Sequence, residues 1–223
     1  MSSVGRTVGL FGGTFDPVHQ GHLDLACHVL ERCGLDNLLF IPAPRPPHKG
    51  RPSASFAHRV AMLEAALVDC PDGGRMRCSA IEAELPEPSY TIHTVEALIR
   101  RQPDCRYALV IGADSLFDLP HWYRAAELLA LIDLIVVRRD RIEPTAIGTT
   151  LATLDSSFQG DEHHHRWRNS TGRTVTYLDD IELPVSSSSI REDLALGREP
   201  AMLPSAVLAY IKTHHLYGWR NSA

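Results

Sequence analysis

Short apolar runs bounded by glycine or proline alternate along this chain with stretches in which apolar residues recur every three or four positions. The first kind predicts buried strands at Val8–Phe11, Leu38–Ile41, Met76–Ile81, Tyr107–Ile111, Ile132–Val137 and Thr174–Leu178. The second predicts helices. Gly21–Cys33 carries Leu23, Ala26, Val29, Leu30 and Cys33 on one face and meets a stop at Gly34. Phe56–Val68, Ile92–Arg100 (with Thr91 as cap), Arg124–Leu131 and Pro204–His214 follow the same period. Ser189–Leu196 opens on a capping box, Ser189 to Glu192, and ends at Gly197. Pro42–Pro52, rich in proline and basic residues, reads as a loop. The stretch 140–173 is the least regular and reads as a variable connection carrying some helix. Strands that alternate with helices over most of the length predict one α/β domain over 1–223. Its doubly wound parallel sheet would be covered by helices on both faces, with ligands at the carboxyl ends of the strands.

Composition narrows the class without naming a chemistry. The chain has 223 residues, 44% of them apolar and 22% charged, which is ordinary for a globular protein with a sizeable core. A net charge of −5, with no basic stripe and no stacking motif, argues against a nucleic-acid partner. No apolar run reaches the ~18 residues of a membrane span, and no secretory leader is evident. The five scattered cysteines lack metal or disulfide spacing and fit reduced thiols, so a cytoplasmic location is expected. Oligomeric state is not legible.

The chemistry gathers in the first turn, Gly12-Gly13-Thr14-Phe15-Asp16-Pro17-Val18-His19-Gln20-Gly21-His22. A glycine pair closes the first strand and lets backbone amides approach an anion. His19 and His22 stand three residues apart where a helix begins, so one turn presents both imidazoles beside free N–H groups. That is a phosphate site with two imidazoles aimed into it. It is neither the dinucleotide fingerprint G-x-G-x-x-G nor a Walker A loop, both of which are absent.

This string resembles the nucleotidyltransferase superfamily with the H-x-G-H signature, and within it the bacterial nicotinate-nucleotide adenylyltransferases, which open on G-G-T-F-D-P-x-H-x-G-H. The resemblance runs from about residue 8 to 218 and is weakest over 140–173. It implies a Rossmann-like fold of nucleotidyltransferase type. It also implies transfer of AMP from ATP to nicotinate mononucleotide, with His19 and His22 catalytic and a Mg²⁺ ion bound mainly through the ATP phosphates; no protein metal site is expected.

Further segments carry the likeness. Pro46-Pro47-His48-Lys49 resembles a loop whose lysine meets ATP phosphates, although a basic loop also suits plain solvation. Ser89-Tyr90-Thr91 resembles the opening of a helix beside the nucleotide, while Thr91 serves equally as a cap. Ile111-Gly112-Ala113-Asp114 resembles a G-x-D segment whose carboxylate accepts from a ribose hydroxyl; Asp114 alone would also cap a helix. Leu119-Pro120-His121-Trp122-Tyr123 resembles a segment whose tryptophan stacks on the pyridine ring, where a core role is the alternative. Arg139 aligns with an arginine near the adenine, but Asp140-Arg141 replaces the usual Pro-Gly. Val185-Ser186-Ser187-Ser188-Ser189-Ile190-Arg191 resembles I-S-S-T-x-I-R, with Val185 and Ser188 as conservative replacements.

By that likeness ATP is met by Gly12, Gly13, Thr14, Phe15, His19, His22, Lys49, Gly112, Asp114, Arg139, Ser187, Ser188 and Arg191. The mononucleotide is met by Thr14, Phe15, Lys49, Tyr90, Thr91, Asp114 and Trp122. The run His163-His164-His165 reads as solvated, with no metal role. Nicotinamide mononucleotide, phosphopantetheine or another phosphorylated acceptor, and a non-catalytic nucleotide-binding regulator, stand as alternatives.

Overall fold

The computed structural model describes residues 5–45, 52–138, 142–161, 163, 165–181 and 185–220. In chain order the strands are β1 (Thr7–Gly13), β2 (Asn37–Pro42), β3 (Met76–Cys78), β4 (Arg106–Gly112), β5 (Asp133–Val137), β6 (Gln159–Asp161), β7 (Arg166–Arg168) and β8 (Thr174–Leu178). The α-helices are α1 (Gln20–Arg32), α2 (Phe56–Val68), α3 (Thr91–Arg101), α4 (Ala113–Asp118), α5 (Ala125–Leu131), α6 (Pro144–Leu154), α7 (Ser187–Ala195) and α8 (Ser205–Thr213). Hydrogen bonding orders the strands β3-β2-β1-β4-β5-β8-β7-β6. Two compact units are distinguished: Met1–Phe11 with Tyr90–Glu182, and Gly12–Ser89 with Leu183–Ala223.

In the first unit β1, β4, β5 and β8 run parallel, with Val8 opposite Tyr107, Leu109 opposite Leu134 and Ile135 opposite Thr176. All five residues of β5 are buried, as a strand covered on both faces requires. Asp133 opens that strand almost fully buried. It is tied by the Arg106 guanidinium, with Nη2 at 2.7 Å, and by the Thr174 N–H at 2.7 Å. Burial alone would raise its carboxyl group, but these donors outweigh burial and hold it below the usual carboxylate range.

The stretch 140–173 is more regular than the sequence pattern predicts. It holds α6 and an antiparallel pair, β6 and β7, that extends the sheet from β8. Trp167 is buried on this hairpin, and Gly160 opposite it has no room for a side chain: a Cβ there would come within 2.1 Å of the indole ring. His165 is not simply solvated. Its ring packs on Tyr177 at 5.7 Å, and its Nδ1 lies 3.5 Å from Asp179. His164 lies outside the described residues.

In the second unit β2 and β3 pair in parallel, and Ala43 N–H donates to Gly13 O (2.9 Å) where β1 ends. α1 closes at Gly34, whose φ of +60° suits a residue without a Cβ. Four local expectations are corrected. β3 stops at Cys78, and Ile81–Glu84 is a 3₁₀ turn. Thr91 is the first residue of α3 and not its cap, a position taken by Tyr90 without a side-chain bond. α7 begins two residues early, because Ser186 and not Ser189 is its cap and accepts from Ser189 N–H (3.1 Å). Pro204 likewise precedes α8 as its cap.

Candidate active site

The turn after β1 owes its shape to packing against its own side chains. Phe15 is buried at a φ of +49° and folds back over Gly13, where a Cβ would fall 2.8 Å from its ring. The same ring meets His22 edge-on at 5.1 Å and Phe40 at 5.5 Å. His19, 3% exposed, caps α1, and its imidazole stacks on that of His22 with centroids 3.7 Å apart. Gly21 makes this possible: a Cβ there would sit 3.0 Å from Val185 and 3.3 Å from the His19 ring. The glycine of the first signature is therefore a steric requirement of the histidine pair.

The two rings differ electrically. Burial lowers the His19 imidazole from 6.5 to about 4, so it is neutral near pH 7. Its Nδ1 is buried without a hydrogen-bond partner among the described residues. His22 Nδ1 accepts the backbone N–H of His19 (3.2 Å), which assigns the ring proton to Nε2. The pair thus offers N–H donors without two cations in contact.

Beneath the turn lies a set of side chains that locks its backbone. Asp16, 5% exposed, accepts from Ser53 N–H (2.7 Å), Ala54 N–H (3.0 Å) and the Tyr217 hydroxyl (2.8 Å). Burial first, and the Asp16 charge next, push the Tyr217 phenol far above its ordinary value, so it remains a donor. Arg59 is 0% exposed and donates to Thr14 O (2.6 Å), Ala43 O (2.8 Å) and Pro44 O (3.2 Å). Burial lowers its guanidinium, and the Asp16 and Tyr217 side chains oppose that shift. The first and second signatures meet directly here. Ser187 Oγ donates to Pro17 O (2.9 Å); Arg191 donates through Nη1 to Asp16 O (2.7 Å) and through Nη2 to Ser188 Oγ (3.1 Å).

The expected site residues of the second unit, Gly13, Thr14, Phe15, His19, His22, Ser187, Ser188 and Arg191, are therefore joined by contact or through this set. Gly12 is exposed at the end of β1, with open space where a Cβ would stand. Lys49 lies outside the described residues. Nothing in the sequence pattern assigns a role to Arg59, Tyr217 or Asp16. The one signal for Arg59 was a lone cation on the apolar face of Phe56–Val68.

In the first unit Gly112 caps α4 and Asp114 stands in its first turn. Tyr90, 36% exposed, stacks on Tyr123, 50% exposed, with centroids 4.4 Å apart, and His93 meets both rings edge-on. Thr91 follows Tyr90 at the start of α3. Trp122 is half-buried, and its backbone N–H donates to Leu119 O (3.0 Å). Two residues on, Arg124 sits at a φ of +56° and pairs with Glu96 (2.9 Å) and Glu127 (2.5 Å). Sequence reading singled out Tyr90 and Trp122 but not the Tyr90–Tyr123 stack. Arg139 lies outside the described residues.

The chain as a whole is similar to known proteins. A cytidylyltransferase-like family model matches residues 10–193. The chain is 39% identical over 219 residues to a Gloeobacter violaceus protein named "Probable nicotinate-nucleotide adenylyltransferase", across 96% of this chain and 97% of that one. The chain belongs to the nicotinate-nucleotide adenylyltransferase family. A Bacillus pumilus member of the same name is 39% identical over 215 residues, across 95% of this chain and 98% of its own. The Plasmodium falciparum nicotinic acid mononucleotide adenylyltransferase complexed with NaAD shares the fold, with a TM-score of 0.74 over 97% of this chain and all of that one at 14% identity. The fold is thus α/β, a mostly parallel sheet with helices on both sides, as the hydrophobic pattern predicts. No helix among the described residues is long and apolar enough to cross a membrane.

Proposed function

We propose that this chain moves AMP from ATP to nicotinate mononucleotide, giving deamido-NAD and pyrophosphate in NAD biosynthesis. The observation that carries the reading is the direct tie between the two signatures, Arg191 to Asp16 and Ser187 to Pro17, beneath a stacked histidine pair. The 5′-phosphate oxygen of the mononucleotide forms a bond to the α-phosphorus of ATP as the bond to the pyrophosphate oxygen breaks. A phosphate already ionised near neutral pH needs no base, so the protein's task is to align two anions and stabilise developing charge. His22, with its proton on Nε2, and neutral His19 donate to phosphate oxygens. Arg191, Ser187 and Ser188 hold the leaving pyrophosphate at the start of α7. Lys49 and Arg139 join the ATP site on the strength of the family likeness alone.

Asp114 and Gly112 take the nucleotide, and Tyr90, Thr91 and Trp122 take the pyridine mononucleotide. Among the described residues, no group of three or more His, Cys, Asp or Glu side chains is placed to hold a metal. A Mg²⁺ ion would be carried mainly by ATP phosphates and water, where it would neutralise phosphate charge. The five free cysteines suit a reducing cytoplasm.

The test is pyrophosphate release with ATP and Mg²⁺, run in parallel on nicotinate mononucleotide, nicotinamide mononucleotide and phosphopantetheine. Preference for the first, with deamido-NAD as product, is expected. Preference for another acceptor would overturn the assignment of Trp122 and its neighbours.

A further inference from the structure

Outside the site, two thiols of the second unit face one another. Cys27 lies on α1, two turns after His19, and Cys70 lies two residues beyond the end of α2. Their sulfurs are 3.9 Å apart, in hydrogen-bonding contact, and both residues are half-buried. Nothing in the adenylyl-transfer chemistry uses them.

We infer that Cys27 and Cys70 are a redox-modification site, closing to a reversible intramolecular disulfide when a hydroperoxide reaches them. A disulfide needs the sulfurs at about 2.05 Å, so they must approach further. The two backbones differ in how they can yield. Cys27 is fixed in the middle of a helix. Cys70 sits in a turn, donating to Leu67 O (3.4 Å) and accepting from Gly73 N–H (2.8 Å), where the approach can be taken up.

The roles follow from the surroundings. Burial, reinforced by Cys70 and Asp72, pushes the Cys27 thiol up to about 12 and keeps it protonated. Cys70, in the turn that can yield, is the sulfur placed to meet the oxidant. Its sulfur attacks the peroxide O–O bond and becomes a sulfenic acid, and the thiol proton leaves with the departing peroxide oxygen as water. The Cys27 sulfur then attacks the sulfenic sulfur; the S–S bond forms, the S–O bond breaks, and the thiol proton leaves with hydroxide as water. Two thiols lose two electrons and hydrogen peroxide becomes two waters. An added dithiol reverses the change. The bridge joins α1, which presents the histidines, to the end of α2, which carries Arg59. It closes a long loop and raises the thermal midpoint of the oxidised protein.

The experiment treats the full chain with hydrogen peroxide, counts thiols after denaturation and maps peptides without reduction. The expected result is loss of two of the five thiols, one Cys27–Cys70 cross-linked peptide, a midpoint several degrees higher, and full recovery with dithiothreitol. Cys27→Ser, checked as folded by its retained thermal transition, should lose the cross-link and carry Cys70 onward to sulfinic acid. Bridges involving Cys33, Cys78 or Cys105, sulfinic acid at Cys70 in the wild-type chain, or both thiols intact after the other cysteines have oxidised would each overturn the inference.

Discussion

The turn after β1 and the segment around Tyr90 and Trp122 are both expected to touch substrate, yet they are built in opposite ways. The first is buried. Carbonyls of Thr14, Asp16 and Pro17 are each claimed by a side chain, and His19 is 3% exposed. The second is a patch of exposed rings, with Tyr90 and Tyr123 stacked on one another and no such web beneath them among the described residues. The difference matches the two tasks. Charge development at phosphorus is best met by donors that cannot relax, since reorganisation at the moment of reaction costs rate. Recognition of a flat heterocycle needs only an aromatic face, and rings that pair with each other in the free protein can exchange that partner for a ligand. The rigid region should therefore govern kcat and the aromatic region KM.

The largest expected break in this contrast is His22→Ala. Loss of one such donor should lower kcat by ~10²–10³, with the thermal midpoint within a few degrees of wild type because His22 is only half-buried. Steady-state kinetics beside calorimetry checks it. Next is Gly21→Ala, where the new methyl meets Val185 at 3.0 Å and the His19 ring at 3.3 Å. A displaced imidazole should cost about tenfold in kcat, since sub-ångström misplacement is felt strongly in aligned sites, while KM for either substrate stays near wild type.

A pH series sharpens the picture of the buried side. His19 is lowered from 6.5 to about 4 when folded, so between those values the unfolded chain takes up a proton the folded chain refuses. Stability should fall as pH drops through that window, by roughly 1 kcal/mol per unit, and level off below it. Urea unfolding of wild type and His19→Gln at several pH values isolates the contribution as a difference in slope. The smallest effect is expected on the exposed side. Tyr123→Leu removes an aromatic face worth ~0.5–1.5 kcal/mol to a stacked heterocycle or to Tyr90, so KM for nicotinate mononucleotide should rise about threefold, with kcat unchanged and the midpoint lower by a few degrees at most.

How much of this was legible in the chain follows the physics of each element. Fully covered strands such as Asp133–Val137 declare themselves because every position is apolar or tied. The pair Gln159–Asp161 and Arg166–Arg168 did not, because three polar residues carry no period; Trp167 between two arginines was the only trace. The cap of α7 was misplaced because four consecutive serines offer the same hydroxyl in four registers, and only the backbone shows which one reaches an N–H. Both signatures were readable as strings, since glycine and paired imidazoles have few other reasons to stand at that spacing. The supports beneath them were not. Tyr217 is 201 residues from Asp16 in the chain, and nothing local in Leu216-Tyr217-Gly218 points to a carboxylate. Arg59 could have been suspected as a charge on an apolar face, but not that it would hold three carbonyls.

The central claim is direct transfer of AMP by a preorganised histidine pair, without a covalent enzyme intermediate. Its most direct test is to mix the protein with Mg²⁺ and ATP labelled at the α-phosphorus, quench, and then repeat with nicotinate mononucleotide present. Without the acceptor, neither labelled protein nor pyrophosphate is expected. With it, pyrophosphate should appear in step with label in deamido-NAD. Labelled protein, or pyrophosphate released before the acceptor is added, would contradict it.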